Sequence, residues 1–231
     1  MAVLLRAWIG AARARRRLGR SESPAPDPMA LLRELAPGRS VVDVGCMWSV
    51  DGAYCFAAEE AGATAVTGVD LMPASERFTA EHERRGSAVR FVRGDVHDAA
   101  VARAIGEHDV VWCAGVLYHA PSPVLTLQRL RELCRERLVL RTATLPELPG
   151  APGACVFYPA LDAAGRAAVA PAAGAGRAIG VTEPFDPDEA YGNWWWGITP
   201  SALRGMLEAT GFAVDELREE PFLTTAIARP R

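Results

Sequence analysis

Three aspartates in the first half of the chain lie at or just after predicted β-strands. Asp43 is near the end of an apolar run, and Asp70 and Asp95 each follow another such run. The carboxyl ends of parallel strands meet at one edge of a sheet, so these carboxylates are expected to lie together. Taken singly, each aspartate is also compatible with a turn or a helix cap. Their order at successive strand ends favours a ligand site that binds hydroxyl and amino groups.

Gly45 ends the first apolar strand in a turn that leads into a helix. Glycine permits a sharp turn and leaves room for a ligand beside the backbone. A dinucleotide-binding loop needs a second glycine where Met47 stands, which disfavours a nicotinamide oxidoreductase. S-adenosylmethionine has no pyrophosphate, so one tight glycine suffices for it. Asp51 in the following loop either caps the next helix or meets the ammonium of that cofactor, and Gly115 after the fourth strand is a further predicted cofactor contact.

The other acidic groups match separate parts of S-adenosylmethionine. Asp70, with Leu71 beside it, is predicted to accept hydrogen bonds from both ribose hydroxyls. Asp95 is predicted to bind the adenine amino group while Val96 packs on the ring. Asp43 either orders the amides of the glycine loop or meets the ammonium group directly.

The chain resembles the class I S-adenosylmethionine-dependent methyltransferases over roughly residues 38–228. Within that superfamily it is similar to the branch that contains the tRNA wobble-uridine carboxymethyltransferases and their small-molecule relatives. The segments that carry this likeness are Gly115–His119 with Ser122-Pro123, Asp51–Phe56 and Asn193–Trp195. One departure is the loop Cys46–Val50, which is about two residues longer than the family pattern. The resemblance implies a metal-independent transferase that uses S-adenosylmethionine.

The reacting end is predicted to lie just after the fourth strand. Methyl transfer needs proximity and orientation, with a general base if the attacking atom carries a proton. His119 is the candidate base because an imidazole titrates near neutral pH. Its alternative role is to satisfy backbone groups before the turn at Pro121. Tyr118 is predicted to position substrate or cofactor, with simple packing as the alternative.

Substrate contacts are predicted in the second half of the chain. The run that contains Asn193, Trp194 and Trp195 is rich in aromatic rings, which can cover a substrate or a sulfonium by cation–π attraction. Alternate tryptophans can equally anchor this segment in a core. Arg141, after the fifth strand, is expected to bind an acidic group or to lie on the surface, and Tyr158 is also expected to contact substrate.

The elements that must position these residues alternate between strand and helix, which predicts a parallel sheet covered on both faces. A turn of three residues, Glu219–Pro221, separates the last two predicted strands, so the final strand must run antiparallel. The predicted fold class is therefore α/β: a Rossmann-like, doubly wound and mostly parallel sheet with an antiparallel last strand and an insert after the fifth strand. Five parallel strands are predicted at Ser40–Val44, Ala65–Val69, Val89–Val92, Asp109–Ala114 and Leu138–Thr142.

The chain divides into a basic N-terminal helix or tail at 1–26 and a methyltransferase domain at 27–231. Within the domain, residues 145–196 are predicted to be a substrate lid. The nearly low-complexity stretch Ala163–Gly180 is expected to be a mobile loop. The arginine-rich start is compatible with contact to RNA or a membrane surface, with a transit peptide, or with a plain surface helix.

Composition limits the chemistry and the location. All 25 basic residues are arginine, so no lysine-based mechanism is available, and the net charge is −3. Five cysteines without a C-x-x-C pair indicate a reducing compartment, by default the cytoplasm, and argue against a disulfide framework or a zinc site. No segment is apolar enough for a membrane span.

The leading hypothesis is methylation of a small molecule, most simply at a hydroxyl oxygen, by in-line displacement without a metal. Methyl or carboxymethyl transfer to tRNA is the second hypothesis, supported by the resemblance and by the cluster at 13–17 but weakened by the acidic remainder of the chain. A non-catalytic scaffold that binds the cofactor is the third. The acceptor and the oligomeric state are not set by the sequence.

Overall fold

Strands and helices alternate along most of the chain, as the hydrophobic pattern predicts. The structure is a computed structural model that describes residues 2–17, 27–174, 177–220 and 222–231. The part of the predicted N-terminal segment at 18–26 lies outside the described residues. The helices are α1 (Ala2–Arg17), α2 (Pro28–Leu35), α3 (Ala53–Glu60), α4 (Glu76–Arg85), α5 (Ala99–Ile105), α6 (Pro123–Leu133), α7 (Ala163–Val169) and α8 (Pro200–Ala209). The strands are β1 (Ser40–Val44), β2 (Ala65–Asp70), β3 (Arg90–Arg93), β4 (His108–Ala114), β5 (Cys134–Ala143), β6 (Cys155–Phe157), β7 (Trp196–Ile198), β8 (Phe212–Glu220) and β9 (Leu223–Pro230).

Seven of these strands form one sheet in the order β3-β2-β1-β4-β5-β9-β8. The pairs from β3 to β5 are parallel, and β9 runs antiparallel to both β5 and β8. The predicted fold class is confirmed, including the reversed last strand. With this order, the carboxyl ends of β1, β2, β4 and β5 meet at one edge, where loops carry the predicted site residues.

Helices cover both faces of the sheet and bury two apolar cores. On one face, Leu127 of α6 and Leu203 of α8 pack with Leu138 of β5. On the other face, Leu32 of α2 and Phe56 of α3 pack against β1 and β4. Burial on both sides explains why the central strands are continuous apolar runs and not alternating ones.

Most helix starts follow local capping signals, although α3 and α6 have no side-chain cap. Asp27 caps α2 by accepting a hydrogen bond from the amide of Met29 at 3.1 Å, with Pro28 in the first turn. Thr199 caps α8 in the same way. Ser122 precedes α6 as predicted, but its side chain makes no capping hydrogen bond. The start of α6 therefore depends on Pro123, whose fixed φ suits the first turn.

The insert after β5 is more ordered than its composition predicts. The strands β6 and β7 form a small antiparallel sheet, and α7 occupies the first part of the alanine-rich stretch. Alanine has the highest helix propensity, and Val169 of α7 is fully buried, so this segment folds against a core and is not a bare loop. Ile9 of α1 lies in the same apolar cluster, and Trp8 donates a hydrogen bond to the carbonyl of Glu147 at 2.5 Å. The first helix therefore packs on the insert.

Replacing Phe212 with alanine tests the core between α8 and the sheet. Phe212 is fully buried at the start of β8, so Phe212→Ala should lower the free energy of unfolding by about 3–5 kcal/mol. Val124→Ala is the control, because Val124 is 44% exposed and its loss should change stability by less than about 0.5 kcal/mol. Urea unfolding of the three proteins measures both values. Equal stabilities for the two variants would contradict this description of the core.

Candidate active site

A cavity of about 910 Å³ opens at the carboxyl edge of the sheet, beneath the insert. Its wall brings together residues that lie far apart in the sequence. It also includes Trp48 and Tyr54, which the sequence did not assign as contacts, together with His97 and Tyr191. The predicted site residues in the wall are Gly45, Asp70, Leu71, Asp95, Val96, Gly115, Tyr118, His119, Arg141 and Trp194.

Gly45 forms the turn between β1 and the loop before α3. Its φ is +86°, and its amide donates a hydrogen bond to the carbonyl of Val69 at 2.9 Å. A Cβ atom at this position would overlap the side chain of Val116. Glycine is therefore required here by both its backbone conformation and the available space.

Asp70 holds the loops on both sides of the β2 end. One carboxylate oxygen accepts a hydrogen bond from the amide of Met47 at 2.8 Å, and the other accepts one from the amide of Met72 at 2.9 Å. These bonds fix the long loop after Gly45. Each carboxylate oxygen has a second lone pair, so Asp70 can still accept hydrogen bonds from a ligand in the cavity.

Asp95 joins the β3 loop to the insert. Its Oδ1 accepts a hydrogen bond from the amide of His97 at 2.8 Å, and its Oδ2 accepts one from the hydroxyl of Tyr191 at 2.7 Å. Burial raises the pKa of Tyr191, so the hydroxyl keeps its proton and remains a donor. The hydroxyl oxygen of Tyr191 also lies 2.9 Å from Nδ1 of His97. Two partial signals for this network are visible in the sequence: His97 follows Asp95 by two residues, and Tyr191 starts the aromatic run.

The structure corrects the predicted contacts of Asp43 and Asp51, since neither side chain lines the cavity. Asp43 is 1% exposed and accepts a hydrogen bond from the thiol of Cys55 at 3.6 Å, so it does not order the loop amides. Burial raises its pKa to about 7. Asp51 accepts a hydrogen bond from the hydroxyl of Ser75 at 2.7 Å and leaves α3 without a side-chain cap.

His119 lies at the reacting end with a fixed orientation. Its Nδ1 is 2.8 Å from the carbonyl oxygen of Asn193. A carbonyl only accepts hydrogen bonds, so Nδ1 carries the proton. Burial lowers the pKa of His119, which favours the neutral ring and leaves Nε2 as its basic nitrogen.

Aromatic rings surround His119. The ring of Tyr118 lies 4.2 Å from the His119 ring and 4.2 Å from the Trp194 ring, measured between centroids. Trp194 meets His119 edge-on at 5.8 Å. All three residues contribute to the cavity wall, so this end of the cavity is apolar apart from the imidazole.

Three predicted substrate contacts point elsewhere. Tyr158 is 2% exposed inside the cluster between the insert and α1. The Asn193 side chain is fully buried and hydrogen-bonds the backbone of Asp186. Trp195 donates to the carbonyl of Ala190 at 3.0 Å and packs edge-on against Phe185. In the aromatic run the backbone is extended, so adjacent side chains alternate and only Trp194 of these predicted contacts reaches the wall.

Comparisons with known proteins relate part of the chain to a known family. Residues 42–138, rather less than half of the chain, match the family model described as a methyltransferase domain. The predicted enzyme class, an S-adenosylmethionine-dependent methyltransferase of class I, is confirmed by this match together with the fold. No curated protein matches the chain.

Solved structures share the fold of this methyltransferase at low sequence identity. The N-terminal domain of EvdMO1, determined with S-adenosylhomocysteine bound, is 18% identical, with 90% of this chain and 82% of that chain covered and a TM-score of 0.59. A S-adenosylmethionine-dependent methyltransferase from Mesorhizobium loti is also 18% identical, with 87% and 95% covered and a TM-score of 0.52. An O-methyltransferase family protein from Burkholderia thailandensis is 16% identical, with 95% and 57% covered and a TM-score of 0.58.

Three further features concern other kinds of site. Within the described residues, His, Cys, Asp and Glu side chains form no group of three or more suited to a metal ion. None of the described helices has the length and apolarity that would let it cross a membrane. The five cysteines are all free thiols.

Replacing Asp70 tests its role as a ligand-binding carboxylate. Asp70→Ala should weaken binding of S-adenosylhomocysteine by roughly 1–3 kcal/mol, because charge-assisted hydrogen bonds are lost. Asp215→Asn is the control, since that carboxylate pairs with Arg137 and Arg229 away from the cavity. Calorimetric titration measures the affinities, and circular dichroism confirms folding. Unchanged affinity in folded Asp70→Ala would refute the assignment.

The raised pKa of Asp43 makes stability depend on pH. The folded pKa of about 7 exceeds the unfolded value of 3.8, so the contribution is fully present below pH 3.8 and is lost as the pH rises to about 7. Wild type should therefore lose on the order of 4 kcal/mol more than Asp43→Asn over this range. Urea unfolding at pH 4, 5.5 and 7.5 measures the difference. Parallel curves for the two proteins would show that Asp43 is ionised in the folded state.

Proposed function

We propose that this methyltransferase transfers the methyl group of S-adenosylmethionine to a hydroxyl oxygen of a small molecule, without a metal, and that His119 is the general base. The observation that carries the proposal is the hydrogen bond from His119 Nδ1 to the carbonyl of Asn193. This bond gives the ring one defined tautomer, with Nε2 able to take a proton. A hydroxyl nucleophile needs such a base at neutral pH.

The cavity residues suit S-adenosylmethionine. Gly45 brings the backbone to the cavity wall, where the methionine part would lie, and the spare lone pairs of Asp70 suit the two ribose hydroxyls. Asp95 and Val96 lie one strand further along, where the adenine amino group and ring would be held. When bound, the cofactor supplies a methyl group that is already activated by its positively charged sulfur.

The chain's own residues then orient and deprotonate the acceptor. Tyr118 and Trp194 present aromatic faces to the cavity, which favours a cation nearby and excludes water. His119 takes the hydroxyl proton at Nε2 as the oxygen attacks. Its lowered pKa keeps it unprotonated at pH 7, so no prior proton loss is needed.

The volume of the cavity favours a small acceptor. At about 910 Å³ it is within the usual range for small-molecule sites, and the insert covers it. A tRNA acceptor, suggested by the branch resemblance, would need a base to enter beneath this insert and a basic surface to hold the backbone. The described Arg side chains are largely paired with acidic groups, as in Arg39–Glu136 and Arg135–Glu107.

Calorimetric titration with S-adenosylmethionine, S-adenosylhomocysteine, the carboxylated cofactor and NAD tests the cofactor. Micromolar binding of the first two alone supports the proposal. Preference for the carboxylated cofactor would favour carboxymethyl transfer to tRNA. Binding of NAD alone would show that the loop after Gly45 binds a dinucleotide and not S-adenosylmethionine. Absence of any binding would favour a scaffold.

His119→Asn separates the base from the structural hydrogen bond, because the asparagine amide can still donate to the Asn193 carbonyl but has no basic nitrogen. We expect turnover to fall by about 10²–10⁴-fold, with affinity for S-adenosylhomocysteine unchanged. In wild type, kcat/KM should rise with pH through a pKa below 6.5 and then level off, and this acid limb should vanish in the variant. Product formation across pH 5–8 is the measurement. Retained turnover in His119→Asn would leave His119 with a purely structural role.

A further inference from the structure

Arg141 has hydrogen-bond donors that the protein does not use. It ends β5 in the cavity wall, and its side chain is 26% exposed. Its single ion pair among the described residues is with Glu220, at 3.4 Å, which is long for a charge-assisted contact. Its Nε is buried and has no hydrogen-bond partner in the described part of the chain. The Tyr54 hydroxyl also lies against this guanidinium. A guanidinium has five N–H donors, so some of them are left for a ligand.

The second arginine in the wall differs from Arg141. Arg177 is 68% exposed, and its Nε lies 2.9 Å from both carboxylate oxygens of Glu183. Its charge is therefore compensated and largely solvated. A ligand anion inside the cavity gains more from Arg141, because that charge is less hydrated and its partner is more distant.

Arg141 lies at the opposite end of the cavity from the adenine pocket. Asp95 follows β3, and β5 is four strands away in the sheet. At about 4.8 Å per strand, the two positions are about 19 Å apart along the edge. Gly45 and Gly115 lie between them, so the proposed cofactor extends from β3 toward β4 and leaves the β5 end for the acceptor.

We propose that the acceptor carries a carboxylate or a similar oxyanion, which Arg141 binds in a bidentate manner. This inference rests on the proposed methyltransferase function. The planar guanidinium matches a carboxylate with two parallel hydrogen bonds, which fixes orientation as well as position. Tyr54, Ala143 and Leu223 form the rest of this end of the wall and give the acceptor body an apolar surface. An uncharged analogue cannot form this bidentate pair and leaves Arg141 only its long ion pair with Glu220, so the site selects for acids.

The test uses the complex with S-adenosylhomocysteine, titrated by calorimetry with a panel of hydroxylated aromatic and aliphatic carboxylic acids and with their amides. At least one acid should bind ten-fold or more tightly than its amide. This preference should vanish in Arg141→Gln. It should persist in Arg137→Gln, which removes the same charge from the same strand four residues earlier, where Arg137 pairs with Asp215 outside the cavity. Circular dichroism shows whether both variants fold.

Each other outcome overturns the inference. If no acid in the panel binds, or if the amides bind equally well, the site does not select an anion. If Arg141→Gln weakens S-adenosylhomocysteine itself ten-fold, the anion is the carboxylate of the cofactor's amino acid part. If the carboxylated cofactor binds more tightly than S-adenosylmethionine and only while Arg141 is present, the anion again belongs to the cofactor. Failure of wild type to bind S-adenosylhomocysteine would instead overturn the proposed function.

Discussion

Three hydrogen bonds connect residues 193–196 of the insert to residues 118–121 after β4, and the site depends on this connection. The amide of Trp195 donates to the carbonyl of Tyr118 at 2.8 Å, and the indole of Trp196 donates to the carbonyl of Pro121 at 3.1 Å. The third bond is that of His119 Nδ1 to Asn193. The same contacts that close the cavity therefore also select the tautomer of the imidazole.

The insert closes the other end of the cavity through Asp95. The Tyr191 hydroxyl uses one oxygen of this carboxylate, so the proposed adenine pocket and the insert share a hydrogen-bonding group. His97 extends the network to Thr126 of α6 at 2.7 Å. A ligand that bonds to Asp95 must therefore share the carboxylate with Tyr191 or displace that hydroxyl. Binding of such a ligand would change a hydrogen bond of the insert directly.

The sheet was predictable because its signals are local. Apolar runs predicted β1 to β5, and the short turn predicted at Glu219–Pro221 set β9 antiparallel to β8, although β8 extends through Glu220. The directions in which single side chains point were harder to predict from the sequence. Asp43 and Asp51 were assigned by position alone, but Asp43 points into the helix-covered face beside Cys55. Side chains alternate between two faces along the extended segment 193–195, so Trp194 reaches the cavity while Asn193 and Trp195 point away from it. Composition does not show which of the two sets faces the cavity.

The first helix has a consequence for the shape of the cavity. Ile9 and Trp8 of α1 belong to the same apolar cluster as Trp194, whose ring forms part of the cavity wall. Packed interiors transmit strain instead of absorbing it. Removal of α1 from the insert would uncover part of this cluster, so the packing of the first helix contributes to the support of the cavity wall.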